Sequence, residues 1–333
     1  MEAQKNPKDH LFDLFTNPWY QTLFSTFSSI ISYTHEFYKQ KEINPILFPI
    51  TTGSISSPMG EGSDSLPLQI EIKGNKVFLA DSMQFSLEVG TRLAEKGCYY
   101  IMPSFRGEEV DERHLNEFFH SEAEIRGSID DVMQLVQEYV LFLVSNFFKN
   151  NQKELEKITN INHIANIVEY PSRYFNRIPY DKALKELNKV DKAINIDNYG
   201  NRIITKYGEK ALIAKYGDFC WLTELPTKIV PFYQASEKSD FKIAKAADLL
   251  AGIGEVVGCG ERCKSADELY RSLQYHNLPI DGYQWYYDMK KSFPLQTSGF
   301  GMGIERFILW LLNHDDIRDC MLLIRNHRQI NFP

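Results

Sequence analysis

The sequence predicts an α+β domain in which helices cover a mostly antiparallel β-sheet. Two short runs of alternating apolar and polar residues, LQIEI and KVFLA, flank the turn signal Gly74-Asn75, which is typical of a hairpin. Between such runs lie stretches with helical spacing, the longest of which follows Ser128. Hairpins and meanders with helices laid against them favour an antiparallel sheet over a parallel one.

The bulk composition is that of an ordinary globular enzyme. The chain has 333 residues, of which 43% are hydrophobic, enough for one large core. A net charge of −7 excludes a broad basic footprint for nucleic acid, and the longest apolar run, YVLFLV, is too short to span a bilayer. Five scattered cysteines and a polar N-terminus indicate a cytoplasmic protein with reduced thiols. We therefore expect no membrane partner and no DNA partner.

The elements follow one another in a simple order along the chain. Residues 149–170, rich in Lys, Asn and Glu, are expected to form a peripheral insertion, and residues 51–65, rich in Gly, Ser and Pro, a mobile loop. The predicted helices cover 18–41, 82–95 and a segment from Ser128, and the predicted strands are ILFPI (46–50), CYYIMPSF (98–105), 114–125, 227–233 and 248–259, before a strand–helix pair at 298–313.

Two of the predicted strands and the loop between them carry an unusual set of polar residues. Alternate residues of a strand share a face, so Arg106 is expected to project with Glu108, and His114 with Asn116 and Phe118. A guanidinium, a carboxylate, an imidazole and an aromatic ring suit a nucleotide, with its phosphates on the cations and its base against the ring. A surface ladder of ion pairs beside one exposed Phe is the alternative explanation.

Glycines alternate in the segment SGFGMGIER near the C-terminus. Gly299, Gly301 and Gly303 leave one face of the predicted strand without side chains, so another group is expected to approach the backbone closely. The strand runs into an apolar helix whose N-terminus favours anions, and Arg306 would extend that preference to a phosphate. A tight strand–helix turn with a structural ion pair is the alternative.

One carboxylate lies in an apolar, glycine-flanked strand. Glu255 stands in the segment DLLAGIGEVVG, where an unpaired carboxylate would be costly. A magnesium ion would compensate its charge, because Mg²⁺ prefers a few carboxylates together with substrate phosphates. A nearby cation such as Arg262 would do the same, and both can hold at once.

Taken together, these segments resemble the class II aminoacyl-tRNA synthetases, in particular the catalytic core of asparaginyl-tRNA synthetase. The resemblance is carried by FRGE with RHLNEF (motif 2), by GIGEVVG, and by SGFGMGIER with DDIRD (motif 3). RIPYDKAL, WYYD and Arg325 support it, and 20–50 with Pro49 would be motif 1. It implies the class II catalytic fold, an antiparallel β-sheet flanked by helices, over residues 20–333, with an N-terminal extension at 1–19 and a homodimer formed through motif 1.

The resemblance also implies the cofactors ATP and Mg²⁺ and a role for each matching position. Arg106, Glu255 and Arg306 would be the catalytic residues, and Arg106 would hold the α-phosphate and the substrate carboxylate. Glu108 and Phe118 would hold the adenine. The whole implied ATP site consists of Arg106, Glu108, Arg113, His114, Phe118, Glu255, Gly303 and Arg306, with Glu255 as the magnesium ligand.

The choice of amino acid is implied by the segment DSMQFSLEV. Gln84 would take the substrate ammonium, and Glu88 would accept a hydrogen bond from a side-chain amide and repel a carboxylate. Aspartyl enzymes place a lysine at the position of Leu87. Asparagine or a close analogue is therefore expected rather than aspartate, unless Glu88 is a solvated residue paired with Arg92. The implied substrate-binding residues are Ser82, Gln84, Glu88, Arg106 and Arg262.

The chain departs from the family's pattern in two respects. Only about twenty residues precede motif 1, so the anticodon-binding domain of the family is expected to be absent, which makes tRNA a doubtful partner. The pocket wall at 258–263 and the segment Lys290–Phe293 are altered, and Thr297 replaces a family histidine. These departures leave three readings open. They are a ligase passing asparagine, or aspartate as in an asparagine synthetase, to ammonia or a small amine; a truncated tRNA ligase; and a non-catalytic amino-acid-binding regulator.

Overall fold

The computed structural model describes residues 7–57, 65–237 and 241–330 of the chain. Parts of the predicted N-terminal extension and of the predicted loop at 51–65 lie outside these residues. The helices of the described part are α1 (Pro7–Thr16), α2 (Pro18–Gln40), α3 (Gln84–Leu93), α4 (Ile129–Asn150), α5 (Gln152–Leu155), α6 (Asn162–Glu169), α7 (Tyr180–Leu187), α8 (Lys206–Tyr216), α9 (Ala266–Tyr275), α10 (Gln284–Ser292) and α11 (Ile304–Leu311).

The strands are short except for those at the centre of the main sheet. They are β1 (Asn44–Pro45), β2 (Thr51–Thr52), β3 (Leu68–Ile72), β4 (Asn75–Leu79), β5 (Cys98–Phe105), β6 (Glu117–Arg126), β7 (Arg177–Pro179), β8 (Ile194–Ile196), β9 (Arg202–Ile204), β10 (Cys220–Thr223), β11 (Ala246–Ala251), β12 (Gly254–Glu261), β13 (Thr297–Gly303), β14 (Arg325–Asn326) and β15 (Gln329–Ile330).

The main sheet of the described residues has the order β1-β5-β6-β13-β12-β11-β10-β7. Its inner pairs are all antiparallel, and only the two edge pairs, β1 with β5 and β10 with β7, are parallel. This confirms the predicted α+β fold on a mostly antiparallel sheet. In this order the glycine-rich strand β13 lies between β6, which carries Glu122 and Glu124, and β12, which carries Glu255.

Helix α4 covers one face of this sheet and fixes its core. Ser128 caps the helix in a reciprocal pair of hydrogen bonds with Asp131, as its position before the apolar run suggests. Its apolar stripe is buried against β12, β13, α2 and α6, with Val136, Tyr139 and Leu143 at 0% exposure. The opposite face of the sheet is left for the cavities described below.

Several element predictions are confirmed, and others are wrong. Strand β5 and the hairpin of β3 and β4 occur as predicted, the hairpin turning at Lys73 and Gly74, which both have positive φ. The predicted strand ILFPI is wrong, because strand pairing ends at Pro45 with one further backbone hydrogen bond from Ile46. The predicted strand at 227–233 is also wrong, since a single 3₁₀ turn, Thr227–Ile229, lies there.

The segment at 149–170 packs into the main core. It comprises the end of α4, α5 and α6, and Leu155, Ile164 and Ile167 are buried in the same cluster as α4. The boundary predicted between residues 19 and 20 falls inside α2. That residues 1–19 form an N-terminal extension and residues 149–170 a peripheral insertion stays a prediction. None of the described helices combines the length and apolarity required to cross a bilayer.

Candidate active site

Two adjoining cavities open on the face of the sheet formed by β6, β12 and β13. The smaller has a volume of about 150 Å³ and the larger about 320 Å³. Four residues line both cavities, namely Arg106, His120, Glu255 and Gly301. Two molecules that occupied the cavities together would therefore meet at these four residues.

All the residues predicted for ATP line the smaller cavity. Four of them reach it from the loop between β5, which ends at Phe105, and β6, which begins at Glu117, so the strand placement predicted for Arg106, Glu108 and His114 is wrong. The other four come from β6, β12, β13 and α11. The loop is closed because Arg106 N–H donates to the carbonyl of Asn116 (2.9 Å). The lining residues from the predicted set are Arg106, Glu108, Arg113, His114, Phe118, Glu255, Gly303 and Arg306.

Polar atoms without hydrogen-bond partners lie at the end of the smaller cavity near the Phe118 ring. The guanidinium of Arg106 lies 5.6 Å from the centroid of the Phe118 ring. Arg106 Nε and Glu108 Oε2 are both buried and have no hydrogen-bond partner among the described residues. Buried polar groups are almost always paired in folded proteins, so these two atoms are open to a ligand.

Cations gather at the other end of the smaller cavity. Arg306, in the first turn of α11, donates from Nη1 to the backbone carbonyl of Glu255 (2.7 Å). Arg113 is tied to Glu209 of α8 by a 2.5 Å ion pair. Burial and the charge of Arg306 both lower the pKa of His114 below its ordinary value. The helix terminus and these cations suit an anionic group.

A pair of carboxylates stands at the edge of the junction. A Cβ placed on Gly258 would lie 2.9 Å from Glu255 Oε1 and 3.7 Å from Asp248 Oδ1, so the two side chains flank this glycine. Burial, with the neighbouring charge of Glu255, raises the pKa of Asp248 well above its ordinary value. Among the described residues, only Arg306 forms an ion pair with either carboxylate, its Nη1 lying 3.9 Å from Glu255 Oε2. No cage of three or more metal-binding side chains occurs among the described residues.

The larger cavity is lined by four of the five residues predicted for the amino acid. Ser82, Gln84, Arg106 and Arg262 all contribute to its wall, together with Leu87. Gln84 Nε2 is buried and unpaired within the described residues. Because Leu87 is the position at which the related aspartyl enzymes were expected to carry a lysine, this wall is uncharged at that point.

Arg262 is fixed in place by its neighbours. It is 3% exposed, forms an ion pair with Glu124 (Nη2 to Oε2, 3.0 Å) and donates from Nη1 to Gln234 Oε1 (3.1 Å). A Cβ on Gly299 would lie 1.8 Å from Glu124 Oε2 and 2.7 Å from Arg262 Nη2. The glycine predicted to admit a close approach therefore makes room for this buried ion pair rather than for a ligand.

Glu88, the fifth predicted residue, lines neither cavity. Its carboxylate is fully buried, pairs with Lys290 Nζ (2.7 Å) and accepts a hydrogen bond from the hydroxyl of Tyr286. It lies four residues beyond Gln84 on α3, about 6 Å along the helix axis. The expectation that Glu88 reads the substrate side chain does not fit this geometry, and Arg92, 3.9 Å away, is only a secondary partner.

Three polar residues at or near the junction are among the lining residues that the sequence reasoning missed. His120 and Glu122 continue the alternation that begins at Phe118, so extending that pattern along β6 would have found them. Asp248 is paired with Gly258 in the hairpin of β11 and β12, and only the pairing of those strands brings it near Glu255. The carboxylate of Glu122 accepts hydrogen bonds from Ser82 Oγ (2.7 Å) and Tyr100, and His120 Nδ1 lies 3.0 Å away.

Cys259 also lines the larger cavity, at 4% exposure. Burial and the nearby charge of Asp248 raise the pKa of its thiol, so it stays protonated and poorly nucleophilic. The site therefore contains cations, carboxylates and an imidazole but no activated nucleophile at this position.

Comparisons with known proteins show the family of this chain. Residues 3–327 match the family model of the class II tRNA synthetases (D, K and N). The asparagine–tRNA ligase of Thermoplasma acidophilum is 28% identical over 286 residues, which are 85% of this chain and 65% of that protein. The asparagine–tRNA ligase of Pelotomaculum thermopropionicum is 30% identical over 86% of this chain and 64% of its own length. The chain thus spans somewhat under two thirds of these relatives.

Solved structures share the fold over nearly the whole chain. The asparaginyl-tRNA synthetase of Pyrococcus horikoshii, complexed with asparaginyl-adenylate, superimposes with a TM-score of 0.85 at 24% identity over 99% of this chain and 76% of that one. The Entamoeba histolytica asparaginyl-tRNA synthetase, also with asparaginyl-adenylate, gives 0.80 at 23% identity over 97% and 71%. With the family match over residues 3–327, these comparisons establish that the chain belongs to the class II tRNA synthetases of the D, K and N group.

Proposed function

We propose that this protein is an ATP-dependent ligase that forms the acyl-adenylate of asparagine or a close neutral analogue and transfers the acyl group to a small amine or another acceptor. The observation that carries the proposal is the pair of cavities that share Arg106, His120, Glu255 and Gly301. ATP in the smaller cavity and an amino acid in the larger one would meet with the α-phosphate beside the carboxylate. The asparaginyl-adenylate bound by the Pyrococcus horikoshii relative is a product of this kind.

Activation needs positioning and charge neutralisation rather than a protein nucleophile. The carboxylate oxygen of the amino acid attacks the α-phosphorus in line, and the bond to pyrophosphate breaks. Arg106, at the junction, would hold both reacting anions together and offset their repulsion. Glu108 and Phe118 would hold the adenine, and Arg113, His114 and Arg306 the distal phosphates, with Gly303 at the entry to α11.

The carboxylate pair fits the magnesium ion implied by the resemblance. Asp248 and Glu255 flank Gly258 at the junction, and burial together with the charge of Glu255 raises the pKa of Asp248, so a bound cation would stabilise the ionised pair. Mg²⁺ binds with one or two carboxylates plus substrate phosphates, so two side chains suffice without a full protein cage. When bound, the ion would neutralise phosphate charge as pyrophosphate leaves.

In the larger cavity, we propose that Glu122 and Arg262, rather than Glu88, recognise the side chain of the substrate amino acid. A carboxylate offers about four lone-pair positions, and Ser82, Tyr100 and His120 occupy three of those on Glu122. The remaining one can accept from a side-chain amide, and its negative charge disfavours aspartate. Gln84, with an unpaired amide atom, remains the candidate for the substrate ammonium.

The acceptor separates the remaining candidate functions. The curated relatives are asparagine–tRNA ligases, which favours charging of tRNA as the alternative to transfer to a small amine. Formation of asparagine from aspartate and ammonia is a second alternative, and a non-catalytic amino-acid-binding regulator is a third. The cation cluster around Arg306 argues against the regulator, because a sensor of amino acids has no need to bind triphosphate.

Amino-acid-dependent ATP–pyrophosphate exchange over the twenty standard amino acids tests the proposal. We expect exchange with asparagine well above that with aspartate. Total tRNA and then ammonium chloride, added to the exchange-competent enzyme, identify the acceptor by aminoacyl-tRNA or free amide. Binding of asparagine by calorimetry without any exchange would support the regulator and contradict the ligase.

Two further properties belong to the proposal. We propose a homodimer formed through α2 and the segment after it, where Phe24, Ile31 and Leu47 are exposed at 67%, 41% and 84%. Sedimentation of a monomer at micromolar concentration would contradict it. We also propose a cytoplasmic location, which suits the five free, buried cysteines of the described chain.

A further inference from the structure

His120 occupies the reacting junction without a role in activation. Four residues line both cavities. Of these, Arg106 would bind the reacting phosphate, Glu255 would bind the magnesium ion, and Gly301 has no side chain. His120 is the remaining one. Its ring packs edge-on against Phe118, with centroids 4.8 Å apart and an interplanar angle of 89°, which fixes its plane.

One nitrogen of this imidazole is held by the protein. Nδ1 lies 3.0 Å from Glu122 Oε1 and 2.8 Å from Ser104 Oγ. Although burial opposes it, hydrogen bonds from His120, Ser82 and Tyr100, with the charge of His120 when that ring is protonated, lower the pKa of Glu122 below its ordinary value. An ionised Glu122 can only accept hydrogen bonds. The proton of the neutral imidazole must therefore reside on Nδ1.

The other nitrogen is consequently a bare lone pair. Nε2 has no hydrogen-bond partner in the described part of the chain, and the side chain keeps 12% exposure, toward the two cavities that the ring lines. A carboxylate that fixes the tautomer of a histidine lining the place where the reacting atoms would meet is the arrangement of a general base.

We propose that His120 is the general base of the transfer step, an inference that rests on the proposed adenylate-forming function. The acceptor N–H or O–H attacks the carbonyl carbon of the acyl-adenylate, and the bond from that carbon to the phosphate oxygen breaks, releasing AMP. The proton of the attacking atom passes to Nε2 of His120 and then to solvent. Glu122 stabilises the imidazolium through Nδ1–H, so the transfer needs no other co-reactant.

The test uses the full chain with asparagine, ATP and Mg²⁺, and compares wild type with His120→Asn. The asparagine side-chain amide can keep the hydrogen bond to Glu122 but offers no base in the place of Nε2. Enzyme-bound adenylate is formed first, and pyrophosphate exchange is recorded for each protein. Absence of exchange in the wild type would contradict the proposed function itself, whereas exchange without the transfer effect below would contradict only the role of His120.

Transfer is then measured in single turnovers with four probes: total tRNA, ammonium chloride, water and hydroxylamine. We expect His120→Asn to slow transfer to the weak nucleophiles by about 10²-fold, and pyrophosphate exchange by less than about tenfold. Transfer to hydroxylamine, a strong nucleophile that needs little help from a base, should also fall by less than about tenfold. Hydrolysis by water supplies a rate even if neither biological acceptor reacts. Equal losses with all four probes, or no loss with any, would overturn the proposal.

A second variant separates chemistry from structure. His120→Ala leaves a space beside Glu122 that free imidazole can enter. We expect added imidazole to raise the rate of transfer to weak nucleophiles at least about tenfold, because it replaces the missing base. Failure of imidazole to restore transfer in a folded, exchange-competent His120→Ala protein would also count against the proposal.

Discussion

The smaller and the larger cavity differ in how their walls are assembled. The smaller is built mainly from the loop between β5 and β6 with the start of β6, and from the junction of β13 with α11, so most of its residues fall in two short segments of the chain, to which β12 adds Glu255 and Val256. The larger gathers side chains from α3, β6, β11, β12 and the loop before β11, over a span from Ser56 to Gly301. Local spacing therefore predicts the wall of the first, whereas the second depends on contacts that only the folded chain makes.

The largest effect is expected at the cation that closes the smaller cavity. Arg306→Ala removes the guanidinium that bridges α11 and the backbone of Glu255. We expect pyrophosphate exchange to fall by about 10²–10³-fold, because a preorganised charge beside the phosphates is lost. Arg318→Ala is the matched control, since Arg318 pairs with Asp316 and lines neither cavity. A comparable loss of exchange in both variants would contradict the phosphate-binding role assigned to Arg306.

The residues of the two walls show why prediction succeeded on one side and failed on the other. Arg106 and Phe118 are twelve positions apart on one hairpin, and their types alone indicate a nucleotide site. Glu88 and Lys290 are 202 positions apart, and nothing local to either signals that they meet. Alternating residues and turn signals were enough to predict the antiparallel sheet. The place of Asp248 at the edge of the site could be found only from the register of β11 against β12.

The second prediction concerns this distant pair. Glu88→Gln leaves Lys290 buried without its carboxylate, and we expect it to lower the free energy of unfolding by about 3–5 kcal/mol. Replacing both, as Glu88→Gln with Lys290→Met, should recover most of the loss, because an uncharged pair leaves no buried charge. Urea denaturation of the three proteins measures the effect. Full stability of Glu88→Gln would mean that the carboxylate does not compensate Lys290.

The third prediction separates Glu122 from Glu88 as the reader of the side chain. In Glu122→Gln, the repulsion of aspartate disappears and the charge-assisted acceptor is weakened, so the preference for asparagine over aspartate in exchange should fall by about 10- to 100-fold. Glu88→Gln, assayed at a temperature where it is folded, should keep the wild-type preference. An equal rise of KM for both amino acids in Glu122→Gln would instead place the substrate ammonium at this carboxylate.

The last prediction compares two buried glutamates, Glu305 in the wall of the smaller cavity and Glu88, which lines neither cavity. Glu88 is balanced by Lys290, whereas Glu305 of α11 accepts only backbone N–H contacts from Phe119 (3.1 and 3.0 Å). Burial raises the pKa of Glu305 to about 8 from an ordinary 4.5. The folded state therefore keeps a proton that the unfolded chain loses, and stability should decline as pH rises between these values.

A single such proton makes the decline at most about 1.4 kcal/mol per pH unit. Glu305→Gln cannot titrate, so its free energy of unfolding should fall less than that of the wild type between pH 5.5 and pH 8, a change set by about one proton. Urea denaturation of both proteins at the two pH values gives the difference directly. Parallel curves would mean that Glu305 is already ionised in the fold, with the backbone N–H of Phe119 sufficient to hold its charge.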